Sequence, residues 1–506
     1  MPALSPPAST ASGGTAAVGT SRDWLLVPVA GLCTLVSTTA YLMVFTLLGQ
    51  IGAALNASQT LVNWIVIATI IVGSVSAALL PALGSVIGQR RLMVTSMAFL
   101  AVGSVISATA PDAATLLAGR IVGSVGFAAS SLSIVIVREH RSGPQLPRAF
   151  GVIAAFSGAA AGVGFALGGA AEQMTRGGWR SAFAVMAVAA AITAVLAAAA
   201  IPGGVRTSRR VDVPGAVLLA VGLVAALLPI TDGAAWGWTS WRVIGLLAAA
   251  FTLVTAWAIT ELRRADPLVR LDALRLNGVV GGLVLFLVAA VTTSVVNLTV
   301  PPFLEAPATA GYGAAMSVLG AGLALLPLAL AITVAGFVAG RLAQRMPARL
   351  IAVVALSLEA LALGVLTAFH QPGALVIILV AVFGLGHGGT LAMEYVLLTR
   401  AVQRAAAGGA TGLATAVGGI SGAVASAVTT ALLVSTLVHA GNHLLPAVTG
   451  YTHAWLCAAA VATGGATALA IGGCAGLSSA SALPPSRPTA RRRVRRAVGR
   501  LSWQQG

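Results

Sequence analysis

Fourteen apolar runs follow one another along the chain with only short polar gaps between them. They lie at approximately residues 24–48, 60–83, 92–110, 114–137, 149–170, 181–201, 213–231, 242–260, 279–299, 315–339, 350–369, 374–398, 410–438 and 453–476. A run of about 20 apolar residues crosses a hydrocarbon core of about 30 Å as one α-helix. Helix is the form such runs must take, because lipid offers no partners to open backbone groups. Charged residues are 8% of the chain, against about a quarter in soluble domains. The sequence therefore predicts an all-α integral membrane protein with 14 transmembrane helices, and the even number puts both termini on one side.

The basic residues say which side. All 29 are arginine, with no lysine, and they sit almost wholly in the gaps. With the N-terminus cytoplasmic, 25 fall in cytoplasmic segments, three (Arg176, Arg180, Arg242) in outer loops, and Arg120 inside a span. Cationic loops resist translocation, so this asymmetry predicts cytoplasmic termini, and one helix more or fewer would scramble it. A net charge of +17 would point to nucleic acid in a soluble protein. Here the charge is spread over many short loops, so topology and anionic lipid account for it and no nucleic-acid partner is expected. Residues 1–23 read as a disordered leader, and 477–506 as a cytoplasmic tail with a basic run at Arg491–Arg496 suited to lipid headgroups.

Other chemistries find little support. Cys33, Cys457 and Cys474 fall in spans without paired spacing or a nearby histidine, so neither a disulfide framework nor a metal site is predicted. A chain without lysine holds no Walker A motif, which excludes an in-chain ATPase motor. The glycine-rich stretch 158–169 lies inside an apolar run with no preceding strand, so it reads as close helix packing and not as a dinucleotide loop. No cofactor and no enzymatic constellation is expected.

An internal repeat is visible. Leu83, Ser85 and Arg90 align with Leu342, Gln344 and Arg349 at one offset of 259 positions, and Gly158 and Gly162 align with Gly418 and Gly422 at 260. Two like bundles in the same direction describe a carrier built around a central pathway. The resulting division is a six-helix bundle over 24–201, an inserted helix pair with its linkers over 202–277, and a second six-helix bundle over 278–476.

Five motifs in order resemble the major facilitator superfamily, and in detail its fourteen-helix drug:proton antiporter branch. After the second run, Leu83, Gly88, Arg90 and Arg91 match the family's loop motif, with Pro81 and Ser85 replacing its first Gly and its Asp. Leu117-Ala-Gly119-Arg120-Ile-Val-Gly123 is similar to the embedded-arginine motif. Gly158, Gly162, Gly164, Gly168 and Gly169 are similar to the antiporter motif, with Phe165 where Pro is usual. Gly178-Trp179-Arg180-x-x-Phe183 follows, and Val211-Asp212-x-x-Gly215 with Trp236-Gly-Trp238 marks the extra pair. The resemblance implies two six-helix bundles plus two central helices, with Gly88, Arg90, Arg91 and Arg349 in the gating loops. It also exposes departures. Ala40-Tyr41 stands where family members carry an Asp in helix one, and both loop copies lack their acid (Ser85, Gln344). In the family that acid clamps the cytoplasmic ends of the bundles, so its loss implies a looser gate or a different clamp.

Candidate functional residues follow from charge inside the spans. An unpaired mid-span guanidinium costs at least about 2.5–3.5 kcal/mol, so Arg120 must face either a wet cavity or partners such as carbonyls of helix one. His387, Thr390 and Glu394 share one face of the twelfth run, where a histidine suits proton exchange. The alternatives are a His donating to a carbonyl, and a Glu394 pairing with Arg400 or Arg404. Glu359 is the most central carboxylate and could take up a proton, but the resemblance assigns its helix to the outer support, away from the pathway, where the alternative is an acid protonated and bonded within the bundle. Tyr41, Trp64 and Asn297 are candidates for the substrate wall or for packing.

Together these features predict a multi-pass plasma-membrane transporter, monomeric, that exports amphipathic small molecules (a drug, antibiotic or secondary metabolite) by proton antiport. The partners are the substrate, protons and lipid. An uncoupled or import facilitator, or a non-transporting receptor on the same fold, stands as the alternative.

Overall fold

The computed structural model describes residues 23–57, 59–173, 178–203, 213–264, 277–402, 407–440 and 443–479. The leader before residue 23, the tail beyond 479 and Arg176, Arg206, Arg209, Arg210, Arg270, Arg275 and Arg404 lie outside the described residues.

The helices are α1 (Leu26–Ala54), α2 (Gln59–Ile87), α3 (Gln89–Ala108), α4 (Ala113–Ser124), α5 (Ala128–His140), α6 (Gln145–Gln173) and α7 (Gly178–Ala200). Then come α8 (Val213–Trp236), α9 (Trp241–Arg263), α10 (Asn277–Glu305), α11 (Val318–Ala324) and α12 (Leu326–Leu342). The last are α13 (Ala348–Ala368), α14 (Gly373–Arg400), α15 (Ala407–Val434) and α16 (Val448–Ser479). Among the described residues 13 stretches are long and apolar enough to cross a membrane. One joins α4 and α5 through the tight turn Val125–Phe127, and another joins α11 and α12. The remaining run is α8, whose apolar part, Pro214–Ile230, is shorter.

Each bundle is built on the same plan. In the first, α1 lies against α6 and α7, while α3 lies against α4 and α7. In the second, α10 lies against α15 and α16, while α13 lies against α14 and α16. The repeat holds at the level of atoms. A Cβ on Gly126 would meet Leu100 and the Ser96 carbonyl, and one on Gly386 would meet Glu359 and the Ala355 carbonyl. Arg90, in the first turn of α3, donates to the Ala198 carbonyl near the end of α7, and Arg349, in the first turn of α13, donates to the Leu469 carbonyl of α16. Ala198 is in the last turn of α7, where carbonyls lack intrahelical partners and carry the negative end of the dipole, so a cation suits it, whereas Leu469 lies inside α16. The glycines correct the offset by one residue. Gly419, not Gly418, faces α2 as Gly158 faces α12, while Gly418 and Gly422 face α10.

Two seams join the bundles, and both are made of small residues. Along α6 and α12, Gly151 approaches Gly336 and Gly340, Gly158 approaches Ile332, and Gly162 approaches Ala329. Along α2 and α15, Gly408 lies on the Pro81 carbonyl, Gly412 on the Ala78 carbonyl and Gly419 on Ser74. Without a Cβ the backbones come close enough for dispersion to hold helices that lipid gives no hydrophobic reason to associate. α8 rests on the second seam, where Leu219 and Leu223 meet Ala78 and Ala416, and α9 packs outside it. The outer side of α9 carries Phe251 and Leu262, exposed by 75% and 68%, as a lipid-facing helix should.

Polar ties reinforce the seams at one end. Arg138, at the end of α5, donates from Nε to the Thr399 carbonyl at 2.9 Å and from Nη2 to the Val402 carbonyl at 3.2 Å, at the end of α14. Ser131 and Thr415 share a hydrogen bond of 3.1 Å between α5 and α15.

One element departs from the apolar-run reading. The run 410–438 stops being helical at Val434, and β1 (Leu437–Ala440) pairs antiparallel with β2 (His443–Pro446) before α16 begins. Leu437 and Val438 extend the hydrophobicity of α15, so composition alone does not separate strand from helix.

A candidate proton-coupling site

Glu359 is fully buried in α13, yet it is turned toward α10 and α14 and not away from them. The outer-support expectation concerned the helix; the side chain itself is hydrogen-bonded within the bundle. Gly386 makes the approach possible, since a Cβ there would stand 2.8 Å from Glu359 Cγ. Thr292 of α10 donates to Glu359 Oε2 at 2.9 Å, and Thr390 of α14 donates to Oε1 at 2.6 Å. His387 Nδ1 lies 3.5 Å from Oε1, an electrostatic contact rather than a hydrogen bond. The other ring nitrogen, Nε2, shares a 2.8 Å hydrogen bond with Thr293 of α10. Phe383, one turn earlier on α14, stacks on the imidazole at 5.3 Å and 14°. Three helices thus bring one carboxyl, one imidazole and three hydroxyls together in the membrane interior.

Thr292 and Thr293 were not singled out in the sequence. The signal was present as Thr292-Thr293-Ser294, three hydroxyl residues in a row within an otherwise apolar run. Asn297 lies one turn beyond Thr293 on α10 and is half-buried. Glu394 is also buried on α14, and its Oε2 has no hydrogen-bond partner among the described residues. Arg400 is exposed and forms no ion pair with Glu394 among the described residues, and Arg404 lies outside them.

Arg120 occupies a different environment, between α4, α1 and α7. It is 5% exposed, donates from Nη1 to the Ala40 carbonyl at 3.2 Å, and stands 5.8 Å from the Phe183 ring centroid. No carboxylate lies within ion-pair distance of it among the described residues. Tyr41, the next residue of α1, packs its ring against Phe45 and Phe127, each 5.3 Å away. Arg120 and the Glu359 cluster are therefore separate sites, one in each bundle.

The residues expected in the gating loops have structural tasks. Gly88 takes φ 100°, a conformation open to glycine, and makes the sharp turn between α2 and α3. Arg90 ties the start of α3 to the end of α7, Arg349 ties the start of α13 to the body of α16, and Arg91 is exposed. In the antiporter-like motif Gly158, Gly162 and Gly169 face α12 and α11, whereas Gly164 and Gly168 face α1.

Two like bundles of membrane helices, joined along small-residue seams and holding ionisable groups at mid-span, define a polytopic carrier class. A family description, Major Facilitator Superfamily, matches residues 30–215 and 205–426, and the chain belongs to that superfamily. It is a multi-pass membrane protein of a family of transporters, not of enzymes. Among relatives, the uncharacterized MFS-type transporter EfpA of Mycobacterium tuberculosis is 27% identical over 337 residues, 66% of this chain and 62% of that protein. The methylenomycin A resistance protein of Streptomyces coelicolor is 28% identical over 236 residues, 46% of this chain and 49% of that protein. The chain thus spans less than two thirds of the length of these curated relatives. The solved structure of the human organic anion transporter MFSD10 (TETRAN) matches with a TM-score of 0.61 at 14% identity, covering 88% of this chain and 99% of that one, and so shares the fold.

Proposed function

We propose that this protein is a proton-driven exporter of amphipathic small molecules, and that Glu359 and His387 carry the coupled proton. In this reading it sits in the plasma membrane with both termini cytoplasmic, where the arginine asymmetry favours them. The bundles rock about their two seams to open the pathway alternately to either side. The methylenomycin A resistance protein, by its name, belongs with antibiotic resistance, which supports export of compounds of that kind.

One observation carries the coupling assignment. The repeat supplies its own control, because the place filled by Glu359 beside Gly386 is filled by Leu100 beside Gly126 in the other bundle. The architecture therefore does not need a carboxyl there, and a buried acid without an architectural role is kept for function by default. The chemistry fits. With one shared proton the Glu359–His387 pair is electrically neutral, and without it the pair leaves a net negative charge in a medium that penalises it. Uptake from the outer side and release to the cytoplasm would thus be tied to the change in accessibility. Arg120, bonded to the α1 backbone, would hold that helix against α4, with Tyr41 and Asn297 on the substrate wall. Neutral or anionic substrates suit a first bundle whose buried charge is Arg120.

The test is export of a fluorescent amphipathic compound from everted membrane vesicles energised by a pH gradient, with and without an ionophore. Ionophore-sensitive export by the wild type, lost in Glu359→Gln with substrate exchange retained, is the expected result. Driven export that persists in Glu359→Gln would refute the coupling assignment. Transport indifferent to the gradient would favour a facilitator, a reading that the missing acids at Ala40-Tyr41, Ser85 and Gln344 keep in view.

A further inference from the structure

We infer that Thr292 and Thr390 are positioning residues that keep Glu359 fully hydrogen-bonded both with and without its proton. The inference rests on the reading of Glu359 as the coupling group and says how a buried carboxyl can perform that task. Each hydroxyl has two acceptors in reach. Thr292 Oγ1 stands 2.9 Å from Glu359 Oε2 and 3.4 Å from the Ala289 carbonyl. Thr390 Oγ1 stands 2.6 Å from Glu359 Oε1 and 3.3 Å from the Gly386 carbonyl.

A hydroxyl has one proton to give and lone pairs to receive with, so it can reverse its role. When Glu359 is ionised, both threonines donate to it and each carboxylate oxygen accepts one bond. When a proton arrives on Oε2, the new O–H donates to Thr292 Oγ1, and the Thr292 proton turns to the Ala289 carbonyl. One O–H bond forms at the carboxyl as the bond to hydrogen in the proton's donor (a hydronium ion or the His387 imidazolium) breaks, the Thr292 O–H bond stays intact, and the hydrogen bond between Glu359 and Thr292 reverses direction. The same holds at Oε1 with Thr390 and the Gly386 carbonyl. Thr293 treats His387 likewise, since its hydroxyl can accept from an Nε2–H or donate to a bare Nε2. A buried group left unsatisfied in one of its two states would be trapped in the other. At the Glu359 carboxyl neither state is orphaned, and the one ring nitrogen of His387 without a hydrogen bond, Nδ1, faces that carboxyl.

The groups that face Glu359 are few. α14 brings His387 and, one turn beyond Thr390, Glu394. α10 brings Thr292, and α16 packs on α13 with buried Ala458 and Ala462 and with Gly465. The threonines are therefore the direct levers on the carboxyl apart from those two titratable neighbours.

The experiment follows the protonated-carboxyl stretch by infrared difference spectroscopy while purified, detergent-solubilised protein is titrated with acid, so no substrate is required. Subtracting Glu359→Gln isolates the Glu359 band. In Thr292→Val and Thr390→Val the ionised form loses a donor, so the midpoint of that band should move to higher pH by about one to two units. Thr292→Ser and Thr390→Ser restore the hydroxyl and should return the midpoint to the wild-type value. Melting temperatures taken on the same samples identify variants that are merely unfolded, and the Ser variants decide the matter if the Val variants do not fold. Midpoints unmoved in folded Val variants, or moved equally in Ser and Val, would overturn the inference while leaving the coupling assignment to the vesicle assay. A Glu359→Gln variant that removes no titrating band would overturn both.

Discussion

Removing Arg138 should unlatch the bundles at the end where α5 and α14 finish. Its guanidinium bridges the end of α5 in one bundle to the Thr399 and Val402 carbonyls of α14 in the other, at 2.9 and 3.2 Å. Hydrogen bonds from charged donors contribute about 1.5–3 kcal/mol each when shielded from water. Arg138 is half-buried, so solvent competes and the pair together is worth roughly 1.5–3 kcal/mol. At about 1.4 kcal/mol per tenfold, Arg138→Ala shifts the equilibrium toward the form open at that end by roughly 10- to 100-fold. The probe is Ser131→Cys, a near-isosteric change at a buried position facing Thr415 across the bundles, in a background lacking Cys33, Cys457 and Cys474. Its rate of alkylation by a maleimide should rise by that factor in Arg138→Ala, and by less in Arg138→Lys, which keeps charge but not the fork. Equal rates with and without Arg138 would refute the latch. The same result would return the missing acids of the loop motif to the meaning of a looser gate.

Three further outcomes are expected. Glu359→Gln should lower gradient-driven export by roughly a hundredfold or more, the scale of a lost proton-transfer group, while substrate exchange without a gradient continues. Gly412→Ala would press a Cβ into the Ala78 carbonyl and should destabilise the protein by about 1–3 kcal/mol, whereas Gly464→Ala, with open space around it, should be neutral or stabilising in the same thermal melts. Asp112 caps α4 by accepting from the Thr115 N–H at 2.7 Å, and that bond holds its carboxyl below the usual carboxylate range. The stabilisation is therefore present above the ordinary carboxylate pKa and lost as pH falls through the lowered value. Melting temperatures of wild type and Asp112→Ala should differ at neutral pH and converge in acid.

The helices were legible because run length is set by bilayer thickness, a constraint that acts on every span alike. The site was legible only in part. His387, Glu359 and Glu394 stand out as ionisable residues in apolar surroundings. Which of them meet depends on the rotation of α13 and α14, where one residue turns a side chain by about 100°. That angle is what a placement of the helix alone leaves open for Glu359. Thr292 and Thr293 were overlooked because hydroxyls are common in membrane helices and gain meaning only from what they touch. Arg138 was counted among the topology-setting charges, and its reach across the bundles depends on where α14 ends. The β1–β2 hairpin hid inside an apolar run whose hydrophobicity continues from helix into strand.

The glycine seams also say something about speed. Where Gly151 lies on Gly336 and Gly340, and Gly412 on the Ala78 carbonyl, the contact is backbone on backbone. Such a surface has few rotamers to rearrange, so the bundles can roll across it as across a bearing. On the proposed rocking, resistance to the motion would be concentrated in discrete catches such as Arg138, and the turnover rate could be adjusted at the catches without altering the joint.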